Sequence, residues 1–222
     1  MSMATLLLRL AAPLQAWGSD SKFNIRMTER EPTKSGVIGL IAAAMGIQRN
    51  DDSKKLEPLT KLHFGVRVER EGKLLKDFHM VHEMKGKRDS HLTERYYLSD
   101  AVFLVALESE NPDLLDSIVQ AIGNPVYPLF LGRRSCPPTL PIVIGMREEK
   151  LVEVLKNEPA LSDINDKKST LNSRRIIYDT DSHGVVVQDM PLSFSQTHRQ
   201  YGYRMKKEEM LTGFEHDPMT EL

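Results

Sequence analysis

An α+β fold is what this sequence predicts, and three features of its apolar pattern carry that expectation. Two short, continuous apolar runs, TLLLRL at 5–10 and AVFLVAL at 101–107, read as buried strands. Two capped segments, beginning at Thr33 and Asn111, have the composition of helices. The segment LHFGVRVE alternates with a period of two.

Taken in order, residues 5–10 form the first strand, ended by Ala-Ala-Pro. Residues 33–47 form a helix with Thr33 as N-cap and Gly46 as its stop. In residues 62–69, Leu62, Phe64, Val66 and Val68 face a core, and His63, Gly65, Arg67 and Glu69 face the other way, giving a strand with one buried face. Residues 101–107 are a central strand. Asn111 then caps a helix with Pro112 at its first position and an apolar stripe of Leu114, Leu115, Ile118, Val119 and Ile122. Residues 141–144 supply a last short strand. The order β-α-β-β-α-β is the ferredoxin-like arrangement shared by many RNA-recognition modules.

The second and third strands are separated by a long polar insertion, residues 72–99, carrying Lys73, Lys76, Lys85, Lys87, Arg88 and Arg95 with Phe78, Tyr96 and Tyr97. Insertions of this length in compact domains are usually functional or disordered. Beyond the core, residues 148–157 read as a helix, and residues 174–179 and 184–188 as a hairpin around TDSH. The expected organisation is a ferredoxin-like domain over 1–146, with residues 73–97 as an inserted hairpin, followed by a small β-rich C-terminal region, 147–222.

The formal net charge of −1 conceals segregation. Residues 208–222 hold five acids and no Lys or Arg, so 1–207 carries 30 basic against 26 acidic residues. Residues 125–147 contain Arg133, Arg134 and Arg147 and no acid. This distribution permits a basic face for a polyanion, although ordinary solvated surface has the same signature. No apolar run is long enough for a transmembrane helix, and a single cysteine excludes an internal disulfide, which suits a reducing cytoplasm.

Candidate chemistry concentrates in three places. In EPTKSGVIGL, Thr33, Lys34, Ser35 and Gly36 open a helix, where free N–H groups and the helix dipole attract phosphate; a plain cap is the alternative. In YPLFLGRRSCPP, Gly132 permits a bend, and Pro137 and Pro138 stiffen the far end of the turn. Arg133 and Arg134 then point apart and take different roles, one gripping a phosphate in fork geometry, the other stacking on a base or pairing with an acid. The third place is the insertion, where His79 and His82 have ligand-like spacing but no second cluster completes a metal site. His82 with Lys85, or His91 with Lys87, is the only local acid–base pair for RNA cleavage. Neither a metal nor a cofactor is expected.

Three separated motifs, LRLAAPLQAWGS, PTKSGVIGLIAAAMGIQRNDD and YPLFLGRRSCPPTLPI, together resemble the CasD family, the small repeat-associated (RAMP) subunit of the type I-E Cascade complex of CRISPR immunity. The likeness spans residues 5–145, and RYYLSDAVFLVAL fits the strand that closes the family's thumb. It implies a non-catalytic, RNA-binding subunit that grips the 5′ handle of CRISPR RNA, contacts the large and backbone subunits, and lies near target DNA at its thumb. In residues, the resemblance places Lys34, Ser35, Gly132, Arg133 and Arg134 on the handle, Gln15 and Trp17 in a stacking loop, and Lys85, Lys87, Arg88 and Arg95 on the thumb near nucleic acid. Packing in a core or subunit interface is the alternative for Trp17. The thumb is expected to have few apolar residues to pack. Type I-C relatives cut repeat RNA themselves, but their tyrosine–lysine–histidine set has no counterpart here, so endoribonuclease activity is the alternative function.

Overall fold

The computed structural model describes residues 3–18, 21–22, 24–50, 53–82, 90–161 and 173–212. It is α+β, with two mainly antiparallel sheets. The first, of seven strands, is built around β1 (Ala4–Ala11), whose neighbours are β8 (Val102–Ser109) and β9 (Val143–Arg147). Beyond β8 come β5 (His63–Arg70), β10 (Ser173–Asp179), β12 (Gln200–Thr212) and, at the far edge, β11 (Val185–Ser193). The second is centred on β7 (Ser90–Ser99), flanked by β6 (Lys73–His82), β2 (Leu14–Gln15) and β4 (Ile25–Arg26), with β3 (Ser21–Lys22) outside β4.

Both runs read as buried strands are apolar throughout because both faces of the first sheet are covered. On one face, Leu6, Leu8, Phe103, Val105, Phe64 and Val66 meet α1 (Lys34–Ala44) and α3 (Pro112–Gly123). On the other, Leu7, Leu104 and Ala106 meet Leu151, Val154 and Leu155 of α4 (Leu151–Asn157). The short α2 (Glu57–Thr60) leads into β5. The caps expected from sequence are in place: Thr33 Oγ1 accepts from the Gly36 N–H at 3.2 Å, and the Asn111 side chain accepts from the Leu114 N–H at 3.3 Å. Gly46, at φ +75°, follows the end of α1. Among the described residues no helix is long and apolar enough to cross a membrane.

Three expectations are corrected. The polar-looking face of β5 is covered by α4 at Gly65, Arg67 and Glu69, and His63 alone of that face stays exposed. A Cβ at Gly65 would stand 2.7 Å from the terminal methyl groups of Leu151 and Leu155, which would have to shift to admit it. Arg67 is wholly buried beneath the end of α4, where it donates to Glu69 at 2.5 Å and to the carbonyls of Leu155, Glu158 and Pro159 at 2.6–2.9 Å. Its charge meets the exposed carbonyls of a helix C-terminus. Burial pulls its pKa below the ordinary value, against the upward pull of Glu69.

The last core strand runs over Val143–Arg147, beyond the expected 141–144. Pro141 has no N–H to contribute to a ladder, so regular pairing starts after it. The hairpin around TDSH is not formed. β10 has β5 on one edge and β12 on the other, so neither edge is open to β11. β11 pairs instead with the outer edge of β12, and the C-terminal strands thereby continue the first sheet.

Candidate nucleic-acid interface

The loop 131–136 is closed on itself and pressed onto the segment after β1. The Leu131 N–H donates to the Cys136 carbonyl and the Cys136 N–H to the Arg133 carbonyl, both at 2.8 Å. The Ala16 N–H donates to the Leu131 carbonyl at 3.1 Å. Gly132, at φ +85°, lies against the same segment, and a Cβ there would stand 1.6 Å from the Ala16 carbonyl oxygen. Leu131 and Cys136 anchor the loop in the core. Burial raises the Cys136 thiol's pKa above its ordinary value, so it is poorly disposed to act as a nucleophile.

This frame holds the two arginines in different surroundings. The Arg133 guanidinium lies over the ring of Tyr97, 4.6 Å from its centroid, and donates to the Arg26 carbonyl at 2.9 Å. Arg134 is exposed. Tyr97 belongs to β7, where Arg95, two residues earlier, projects from the same face. Arg26 on β4 is in parallel register with Arg95. Arg26, Arg95 and Arg133 are thus gathered where the second sheet meets the loop.

The opposite face of the second sheet is apolar. Register places Leu74, Phe78, Met80 and Leu92 there, each more than half exposed, with Ile25 beside them. This corrects the expectation of an insertion poor in apolar residues. Lys76 on that face is neutralised by Glu94 at 3.0 Å and lies over the Phe78 ring. Lys85, Lys87 and Arg88 fall outside the described residues, as do the side chains of His82 and His91.

The other expected contacts are placed elsewhere. Gln15 and Trp17 do not form an open stacking loop: both are buried. Gln15 Nε2 donates to the Ala101 carbonyl at 2.8 Å, and its Oε1 accepts from Trp17 Nε1 at 3.0 Å. The indole fills the space left by the missing side chain of Gly36, where a Cβ would stand 2.8 Å from the ring. Trp17 is therefore core.

Lys34 and Ser35 are also buried, and the start of α1 already holds an anion from the chain itself. Asp189 Oδ2 accepts from the Lys34 N–H at 2.9 Å, and Lys34 Nζ pairs with Asp179 at 3.0 Å. Arg204 grips both carboxylates, Asp189 through Nε and Nη2 at 2.6 and 2.8 Å and Asp179 through Nη1 at 2.6 Å. Burial works to lower the Arg204 pKa, but the two carboxylates outweigh it and hold the group above its ordinary value. The expected phosphate position is filled by Asp189, which corrects the assignment of Lys34 and Ser35.

Sequence reasoning singled out Arg133, Arg134 and Arg95 but missed Arg26 and the stacking role of Tyr97. The alternation in RYYLS carried a signal, since it sets Arg95 and Tyr97 on one face. One further pair lies on that face: His79 Nε2 is 2.7 Å from Asp77 Oδ2. Among the described residues no three of His, Cys, Asp and Glu gather closely enough to hold a metal ion.

Residues 5–205 match the family described as CRISPR-associated protein (Cas_Cas5). The chain is 36% identical over 187 residues to the CRISPR system Cascade subunit CasD of Escherichia coli (strain K12), covering 74% of this chain and 81% of that protein. Among solved structures it is similar to a chain of a CRISPR RNA-guided surveillance complex, with TM-score 0.75 and 33% identity over 93% of this chain and 89% of the other. It is also similar to a crystal structure of a Cas protein, with TM-score 0.74 and 38% identity over 94% and 95% of the two chains.

Proposed function

Since the chain belongs to the CRISPR-associated Cas5 family, we propose that it is the type I-E Cascade subunit that holds the 5′ handle of CRISPR RNA without cutting it. One observation carries the assignment to a place on the molecule. Loop 131–136 is fixed backbone against backbone and presents Arg133 and Arg134 beside Arg26 and Arg95. Clustered guanidinium groups on a rigid frame suit phosphate, which they grip as planar forks.

The architecture supports the same reading. The strand order β5-β8-β1-β9, with α1 and α3 on one face, agrees with a ferredoxin-like core over 1–146, and β6 and β7 with its thumb. The thumb's two faces fit two kinds of neighbour. The arginine face suits nucleic acid, either the handle or target DNA. The face of Leu74, Phe78, Met80 and Leu92 suits the apolar surface of an adjoining large or backbone subunit. The cytoplasm is the location this reading implies.

His79 and Asp77 favour the alternative, an endoribonuclease, because a carboxylate-oriented imidazole near arginines can move a proton at a 2′-hydroxyl. Incubating the full chain with CRISPR repeat RNA, with and without divalent metal, separates the two readings. The expected result is RNA retained intact at its handle end. Specific cuts that disappear in His79→Ala would transfer the function to the nuclease.

A further inference from the structure

We propose that the apolar face of the β6–β7 hairpin pairs with the same face of a second copy of this chain, forming a two-fold symmetric dimer outside any larger assembly. Register places Leu74, Phe78 and Met80 of β6 and Leu92 of β7 on this face, each more than half exposed, with Ile25 beside them at 48%. Soluble chains rarely leave such a contiguous apolar patch open, and one that also carries polar groups marks an interaction site.

The charges on the face identify its occupant. Among the described residues, Lys76 and Glu94 are the charged side chains that β6 and β7 place there, and they pair at 3.0 Å. They stand in the middle of the hairpin, with Leu74 on the base side and Met80 and Leu92 toward the tip. A two-fold interface has to be complementary to itself. An axis lying between two such faces, square to the line from Lys76 to Glu94, sets each ammonium over the other copy's carboxylate. The apolar groups then close around a neutral centre. Lys76 is already held over the rings of Phe78 and Tyr96, 4.8 and 5.7 Å from their centroids, so pairing costs it little further freedom. A polyanion finds no net positive charge on this face; the arginines project from the opposite one.

The size of the face sets the strength of the pair. β6 and β7 each run for ten residues, so the face is about 33 Å long and, with β4, about 15 Å across. It offers roughly 500 Å² per copy, and a total of about 1,000 Å² belongs to weak, exchangeable complexes rather than permanent ones. That suits a surface with two uses in turn. The same face is the one fitted above to an adjoining subunit, so the dimer and the assembly exclude each other, and failure of the dimer leaves that reading standing.

Sedimentation of the full chain, without RNA or other subunits, tests the pairing. The wild type should double in mass between about 1 μM and about 100 μM, the span of a micromolar dissociation constant. Lys76→Glu and Glu94→Lys each set like charges against one another across the axis, so each variant alone should stay monomeric over that span. Mixed in equal amounts, the two should regain the dimer, because each then meets the opposite charge on its neighbour. Recovery in the mixture also shows that both variants are folded. A wild type that remains monomeric throughout would overturn the dimer and leave the face to another subunit alone. Dimers that persist in both single variants would place the contact elsewhere on the chain and overturn it as well. A mixture that stays monomeric, or species larger than a dimer, would overturn the two-fold charge register.

Discussion

Alanine at position 132 is expected to destabilise the chain by at least about 3 kcal/mol and to abolish RNA binding with it. Two independent penalties combine. Gly132 sits at φ +85°, where a side chain strains the backbone by roughly 1–2 kcal/mol. A Cβ would also stand 1.6 Å from the Ala16 carbonyl oxygen, which is main chain and has no rotamer in which to move away. Relief requires lifting the loop off the 14–17 segment, which breaks the Ala16–Leu131 hydrogen bond and exposes Leu131 and Cys136. Arg133 would then leave the Tyr97 ring. Urea unfolding measures the loss. Gly123→Ala is the control, since nothing lies within 4 Å of its added methyl group. A Gly132→Ala variant as stable as that control would refute the packing described for this loop.

Asp189→Ala is expected to cost about 3–5 kcal/mol, the range for removing one partner of a buried ion pair. The carboxylate caps the first N–H of α1 and accepts two bonds from Arg204, so its loss orphans three donors. Asp179 cannot compensate, because it already serves Lys34, Arg204 and the Phe64 N–H. The effect should spread to the far edge of the first sheet, since this cluster ties β11 and β12 to α1. Faster amide exchange in β11 and β12 should accompany the lower urea midpoint. A loss below about 1 kcal/mol would mean that the cluster is solvated like a surface pair.

The first three core strands and both long helices are legible in the sequence because their signals are local. Continuous apolar runs, a period of two and side-chain caps at Thr33 and Asn111 act within a few residues. The burial of Arg67 is not legible, because what covers it, α4, lies more than eighty residues away in the chain. The same distance problem hides the fate of Lys34, whose carboxylate partners are 145 and 155 positions away. The expected C-terminal hairpin fails because strands adjacent in sequence need not pair, and here β12 enters between them. At the candidate site, Gly132 and its arginines stand out through a rigid Gly/Pro frame. Arg26 does not, since its place beside Arg95 depends on a two-residue parallel pairing with no sequence signature.

Loop 131–136 is proposed to hold CRISPR RNA through its two arginines. Titrating 5′-handle RNA into the folded full chain over a range of salt concentrations tests it most directly, with Arg133→Ala, Arg134→Ala and the double variant beside the wild type. Each lost charge-assisted contact should weaken binding by roughly ten- to a hundredfold, and each lost phosphate contact should flatten the salt slope by about 0.7. The two single variants should differ, because Arg133 is stacked and half-buried while Arg134 is exposed. A folded double variant that binds handle RNA with unchanged affinity and unchanged salt slope would contradict the claim.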